Sequence, residues 1–502
     1  MEMEFSMSSM KDYTPEDGVQ EQGKATRRDF LQGALAVAGT FAASGVTAAP
    51  AEAQVKPKRP NLVYFLGEGQ RADALSLAGH PILKTPNQDR IGAEGMNFNN
   101  AFCTNALCAP ARAAALTGMY SRSTGALSNE HLRTPLPSDI PLFTDLLREA
   151  GYEIAILGKV HMHNGVEERH WDYYFGHNDP GNNYESPLFK EGRNGTVGPQ
   201  MQYHDIYPDD LTTDKALQWI DQDRGEKPFC ILIWFVAPHE PFFRPRRHLD
   251  LYNGVPIPKP LTFDDDLRGY PGKPKSFIEA ENKVGTTNSH VACASLEGMT
   301  KDYYAGLVAV DDNIGRVLDH LEKKGILDDT AILHSSDHGY FLGEWRLFDK
   351  RLMHEPSLRV PLMLRYPKRI KPGTVRDEMV LDIDIAPTLL DLAGVPTPSR
   401  MQGMSILPLA SRPEPNFRKE WYYEYYEWPN PEKVAPHRGI RTEQYKLIQY
   451  VMDPTEGELY DLKADPTERA NLYGKPEYAD LQTHLHQRLE ALRSSIPERQ
   501  KI

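Results

Sequence analysis

Asn61-Leu62-Val63-Tyr64-Phe65-Leu66 is an unbroken apolar run of strand length, and Gly67-Glu68-Gly69-Gln70-Arg71-Ala72-Asp73 follows it at once. A run apolar on both of its alternating faces reads as a strand buried on both sides. The pattern recurs at Glu153-Ile154-Ala155-Ile156-Leu157-Gly158, at Cys230-Ile231-Leu232-Ile233-Trp234-Phe235-Val236 and at Thr330-Ala331-Ile332-Leu333-His334-Ser335. Helical stretches over 138–151 and 301–325 alternate with these runs. The alternation predicts an α/β fold, a large sheet sandwiched by helices on both faces. In such sheets ligands bind at the carboxyl ends of the strands, where polar residues here cluster.

Working outward, Pro408, Pro413 and Pro415 punctuate a linker. Beyond it, strand-like segments over 420–428, 439–442, 445–452 and 458–460 precede an amphipathic stretch over 477–494. These predict a smaller C-terminal α+β domain, an antiparallel sheet with one helix packed on it. The expected organisation is a signal region over 1–53, a catalytic domain over 54–410 and the small domain over 411–502, without internal repeats.

The signal region rests on Thr26-Arg27-Arg28-Asp29-Phe30-Leu31, followed by a weakly apolar Ala/Gly-rich run that ends at Ala51-Glu52-Ala53. A twin arginine, a modest apolar core and a small-x-small site form a twin-arginine export signal. The alternative is a membrane anchor, which the Gly, Ser and Thr content disfavours. The mature chain is then expected to begin near Gln54 and to reach the periplasm or the medium. The long acidic lead allows a start at Met7 or Met10. Proteins on this route fold before export, so Cys103, Cys108, Cys230 and Cys293 are expected as thiols rather than a disulfide framework. A net charge of -13 and a pI near 5.8 argue against nucleic acid as a partner, so any anionic substrate must be held by a local site.

The segment richest in chemistry is Asn105-Ala106-Leu107-Cys108-Ala109-Pro110-Ala111-Arg112-Ala113-Ala114-Ala115-Leu116-Thr117-Gly118. Pro110 suits a first helical turn and Gly118 a helix end, which places Cys108 at a helix N-terminus, where unpaired amides favour an anion such as sulfate. With four cysteines in 502 residues, composition alone seldom produces this Cys, Pro, Arg spacing. The chain here resembles the type I sulfatases of the alkaline phosphatase-like superfamily, whose nucleophile lies in a Cys-x-Pro-x-Arg motif and is oxidised to formylglycine. The resemblance runs from Pro60 to about Leu472.

Four further blocks carry it. The family usually places two adjacent aspartates at the positions of Glu68 and Gly69; Glu68 keeps a carboxylate and Gly69 does not, so the site is altered. Ser335-Ser336-Asp337-His338-Gly339 resembles the remaining metal ligands, with His338 where many members carry Asn. The resemblance implies one divalent cation held by Glu68, Asp337, His338 and residue 108, with calcium first and magnesium or manganese as alternatives. Gly158-Lys159-Val160-His161 matches a block whose Lys and His contact the sulfate and the formylglycine hydroxyls, and Ala237-Pro238-His239-Glu240-Pro241-Phe242 one whose His contacts the sulfate near the leaving oxygen. Lys350, in Phe348-Asp349-Lys350-Arg351, matches a lysine that neutralises the sulfate and leaving group.

The implied reaction is hydrolysis of a sulfate monoester. A hydrated aldehyde at position 108 supplies two hydroxyls: one attacks sulfur, with His239 or Lys350 as acid, and the other, deprotonated by His161, releases sulfate. Arg112 orients residue 108 and balances charge. A plain cysteine cannot perform the second step, so a formylglycine-generating enzyme is an implied partner, as is the twin-arginine export machinery.

For the substrate, Trp421-Tyr422-Tyr423-Glu424-Tyr425-Tyr426-Glu427-Trp428 followed by Pro436-His437-Arg438 suggests a sugar site using His437 and Arg438, although core packing accounts for half of these aromatics equally well. Arg244, Arg246, Arg247 and His248 offer a second anion site or a solvated turn. These features and the signal favour a sulfated carbohydrate. A phosphonate or phosphodiester hydrolase of the same superfamily and an inactive sulfated-glycan binding protein stay open on sequence alone.

Overall fold

Four neighbouring parallel strands form the middle of the main sheet: Thr330–Ser336, Asn61–Gly67, Phe229–Trp234 and Glu153–Lys159. They are the four runs read from sequence. The computed structural model describes residues 58–499 other than 130–135, 163–164, 179–185, 266, 268–271 and 286–293. The proposed signal and Cys293 lie outside the described residues.

The whole sheet has ten strands and is mixed. Its order is Thr374–Arg376, Met96–Phe98, Leu362–Arg365, then the central four, then Tyr173–His177, Leu188–Arg193 and Thr196–Gln202. Alternation along the central strands divides the core. Leu62, Tyr64 and Leu66 pack with Ala113, Leu116, Phe143 and Leu389 on one face. Val63 and Phe65 pack with Leu211, Trp219, Ile314 and Val317 on the other. Helices Cys108–Thr117, Phe143–Glu149 and Ile385–Leu392 therefore cover one side, and Pro208–Ile220 and Leu296–Lys323 the other.

Of the boundaries that differ from expectation, three in the main domain have a local cause. The helix predicted over 138–151 begins at Phe143, because Leu142 before it is extended and the Asp145 carboxylate accepts the Leu142 amide at 3.0 Å. The helix predicted over 301–325 starts earlier, at Leu296, capped by Ser295 Oγ accepting the Gly298 amide. The strand predicted through Val236 stops at Trp234, because the Val236 and Ala237 amides turn to the buried Asp209 carboxylate at 2.9 and 3.0 Å.

The C-terminal sheet, Glu420–Tyr425, His437–Thr442, Tyr445–Tyr450 and Gly457–Asp461, is antiparallel throughout. One face carries Tyr422, Ile440, Leu447 and Leu459 against helix Ala479–Ser495. The other carries Trp421, Tyr423, Tyr425 and Tyr450 against Phe102 and Leu107 of the main body. A buried polar knot fastens this sheet to the body. Lys273 Nζ lies 2.6 Å from Tyr460 Oη, 2.9 Å from His354 Nε2 and 3.2 Å from Glu458 Oε2, and 4.2 Å from the Trp345 ring centre. Lys273→Met leaves the Glu458 carboxylate buried without its cation. We expect a loss of about 3–5 kcal/mol, read as a fall in thermal midpoint that the added change Glu458→Gln partly restores.

Candidate active site

Cys108 is the first residue of helix Cys108–Thr117. Leu107 enters extended at φ -150°, and Gly118 ends the helix at φ 65°, a left-handed value that glycine reaches without a Cβ penalty. The helix is buried throughout, and its alanines allow close packing under the sheet's carboxyl edge. Its positive dipole end faces the site, with the Ala109 amide donating to Asn129 Oδ1 at 3.0 Å.

Three of the four central strands deliver side chains to Cys108. Glu68 follows Asn61–Gly67, Lys159 ends Glu153–Lys159, and Asp337 and His338 follow Thr330–Ser336. Cys108 Sγ lies 3.2 Å from Glu68 Oε1, 3.4 Å from His338 Nε2 and 3.9 Å from Lys159 Nζ. Donor atoms of Glu68, Cys108, Asp337 and His338 all fall within 4.8 Å of one another. Two carboxylates, an imidazole and the position-108 donor form a set suited to a hard divalent cation. Arg112 braces it: its Nη2 donates to Glu68 Oε2 at 2.7 Å and Asp337 Oδ2 at 3.0 Å, and its guanidinium lies over the Trp234 ring.

The electrostatics are those of a cation corner. Burial pulls the His338 imidazole down, yet Asp337, Cys108 and Glu68 outweigh it and raise it to about 10. Burial and then the Glu68 charge push Asp337 up to about 6. A corner that favours a protonated imidazole favours a metal ion for the same reason. Glu68 itself is held well below the ordinary carboxylate range: burial acts against this, and Lys159, His338 and Arg112 overcome it. Burial pushes the Cys103 and Cys230 thiols up. At Cys108 burial and Glu68 act the same way, but Lys159, Lys350 and a hydrogen bond with His161 bring the thiol well below its usual value.

Gly69 sits at φ 59°. Its amide donates to Asp337 Oδ1 at 3.0 Å and its carbonyl accepts from Tyr303 Oη at 2.7 Å. The backbone there orients the Asp337 carboxylate, and position 69 supplies no carboxylate of its own. The remaining wall comes from His239 and Lys350. His239 Nδ1 is fixed on the Glu240 carbonyl at 2.6 Å, with Nε2 3.9 Å from Glu68 Oε1. Lys350 Nζ lies 3.1 Å from Asp349 Oδ1 and 3.6 Å from Glu240 Oε1. Burial pulls the Lys350 ammonium down, and Cys108, Glu240 and Glu68 more than compensate, so it stays charged. Glu240 went unremarked as a site residue in the sequence although it lies inside the His239 block. Burial opposes ionisation of its carboxyl, but His239 and Lys350 lower it to about 2.

The structure does not bring His437 and Arg438 to this site. His437 is fully buried, packed among Tyr423, Tyr425 and Tyr450, with Nδ1 on the Ala435 carbonyl at 2.8 Å. Arg438 points to the opposite face, where it bonds Gln449 and pairs with Glu490 of the last helix at 2.9 Å. Neighbouring strand residues face opposite ways, so the pair could not share one site. Trp421, Tyr422, Tyr423 and Tyr425 are core. Of the basic turn, Arg244 pairs with Asp302, Arg246 with Asp205 and Arg247 with Asp210 and Asp312, while His248 Nε2 lies 2.7 Å from Asp312 Oδ2.

Comparison with known proteins agrees with this geometry. The chain matches the family model of sulfatases over residues 60–395 and that of the N-sulphoglucosamine sulphohydrolase C-terminal region over 343–495. It is 35% identical over 492 residues to the N-acetylglucosamine-6-O-sulfatase of Bacteroides thetaiotaomicron, covering 86% of each chain. It is 29% identical to an ulvan-active sulfatase of Formosa agariphila, covering 87% of this chain and 82% of that one. A structure solved in complex with its substrate D-glucosamine-2-N,6-O-disulfate superposes with a TM-score of 0.80 at 34% identity, over 88% of this chain and 98% of the other. The phosphonate monoester hydrolase of Agrobacterium radiobacter, at 20% identity and a TM-score of 0.71 over 88% and 96%, shares the fold. With a Cys-x-Pro-x-Arg motif at a buried helix start, a candidate cation group around it and a family match over most of its length, the chain belongs to the sulfatase family of sulfuric ester hydrolases, within the alkaline phosphatase-like superfamily.

Proposed function

We propose that this sulfatase is exported through the twin-arginine route to the periplasm or medium and hydrolyses a sulfate monoester on a sulfated carbohydrate. Residue 108 acts as formylglycine, made by a formylglycine-generating enzyme. Glu68, Asp337, His338 and residue 108 hold one divalent cation, calcium first. The observation that carries the reading is the position of Cys108 Sγ, ringed by Glu68, His338 and Lys159 within 3.9 Å at the carboxyl ends of the central strands. The cation, when bound, neutralises sulfate oxygens and eases ionisation of a hydroxyl beside it.

The chain's own residues account for the rest. Lys159 and Lys350 place positive charge where sulfate oxygens must sit. His239 Nε2 or Lys350 Nζ gives a proton to the departing alcohol, and His161 accepts one from residue 108 as sulfate leaves. Arg112 fixes the two carboxylates. The names of the relatives put a sulfated hexosamine first among substrates to try.

The test is the mass of the peptide containing residue 108, from protein made in its native host or beside a maturation enzyme, together with sulfate release from sulfated hexosamines. Formylglycine with sulfate release is the expected result. An unmodified cysteine in an active preparation overturns the mechanism, and faster turnover of a phosphodiester than of any sulfate ester moves the activity to the phosphonate and phosphodiester hydrolases.

A further inference from the structure

Five of the six tryptophans are at most 3% exposed, whereas Trp428 is 43% exposed. Its loop is tied to the active site by two routes. The Ala109 amide, next to Cys108, donates to Asn129 Oδ1 at 3.0 Å, and the Asn129 amide donates to Glu427 Oε1 at 3.3 Å. From the other side Arg351, which follows Lys350, brings its Nε to 3.7 Å from Glu427 Oε2 and its Nη2 to 3.1 Å from Glu432 Oε2. Trp428 thus adjoins a residue one side chain removed from both the helix start and the site lysine.

The loop is also braced. Asn430 Nδ2 donates to the Glu427 carbonyl at 2.9 Å and the Val434 carbonyl at 2.8 Å, while its Oδ1 accepts the Val434 amide at 3.0 Å. The Glu281 amide donates to the Glu432 carbonyl at 2.7 Å. A large apolar ring held in water on so constrained a backbone is organised before any ligand arrives, which lowers the ordering cost of binding.

From this we infer that Trp428 is the platform on which the sugar ring of the substrate stacks while its sulfate enters the Cys108 pocket. The inference rests on the carbohydrate reading above. A pyranose presents C–H groups on its face and hydroxyls at its edge, and an indole face covers the former while leaving the latter to polar partners.

The experiment compares wild type, Trp428→Ala and Trp428→Phe in mature, metal-loaded protein on a sulfated hexosamine and on a straight-chain alkyl sulfate that has no ring to stack. Trp428→Ala is expected to raise KM for the sugar about tenfold, with kcat within about twofold and alkyl sulfate kinetics unchanged; Trp428→Phe should recover most of the loss. An unchanged KM on the sugar overturns the inference, as does an equal loss on both substrates. If wild type cleaves the alkyl sulfate but no sulfated sugar, the carbohydrate reading fails and takes the inference with it. Sugar turnover that ignores Trp428 overturns the platform alone.

Discussion

Cys108→Ala is expected to lower sulfate release by about 10⁵-fold or more, the scale on which an enzyme loses its covalent nucleophile. No neighbour can replace it: the residues nearest Sγ are a carboxylate held by Lys159 and Arg112, an imidazole facing two carboxylates, and a lysine paired with Glu68 at 2.8 Å. The change deletes one buried sulfur from a helix otherwise rich in alanine, so the fold should survive with a thermal midpoint close to wild type. Sulfate release measured by ion chromatography, beside thermal unfolding, checks both statements. A folded variant keeping a tenth of wild-type activity would exclude residue 108 as the nucleophile.

Asp337→Asn should cost about 10³-fold in kcat/KM, comparable to removing a preorganised electrostatic group from an active site. The carboxylate is fully engaged: Oδ2 accepts from Arg112 Nε at 3.2 Å and Nη2 at 3.0 Å, and Oδ1 accepts the Gly69 and His338 amides at 3.0 and 2.9 Å. An amide keeps the shape but not the charge. It also offers an N–H to groups that are themselves donors. Calorimetric titration of chelator-treated protein with calcium should show the affinity falling together with the activity, and excess calcium should restore part of the rate. Unchanged calcium affinity in this variant would remove Asp337 from the ligand set.

Some features were legible because they depend on neighbours in the chain. Asn61–Gly67 and its three companions are apolar on both faces, which only a doubly covered strand tolerates, and Glu68, Lys159 and Asp337 at or directly after three of them follow as strand-end groups. The hairpin Leu188–Arg193 with Thr196–Gln202 carries its own signal, Asn194-Gly195, whose positive φ values of 50° and 78° suit a two-residue turn, but its exposed strand lacks the apolar face that marks the others.

Contiguous residues alone specify the four central strands, the helix start at Cys108 and the order of the motif blocks, because local periodicity, capping and motif spacing are local properties. Tertiary packing brings four strands distant in the chain side by side, so that Glu68, Lys159, Asp337 and His338 converge on one sulfur and His239 reaches Glu68. It alone decided that His437 enters a core, that Arg438 meets the last helix and that Trp428 stays in water. Which face of a strand meets a neighbour, and which ring is left uncovered, depends on surfaces contributed by segments hundreds of residues away, and no local pattern encodes their arrival.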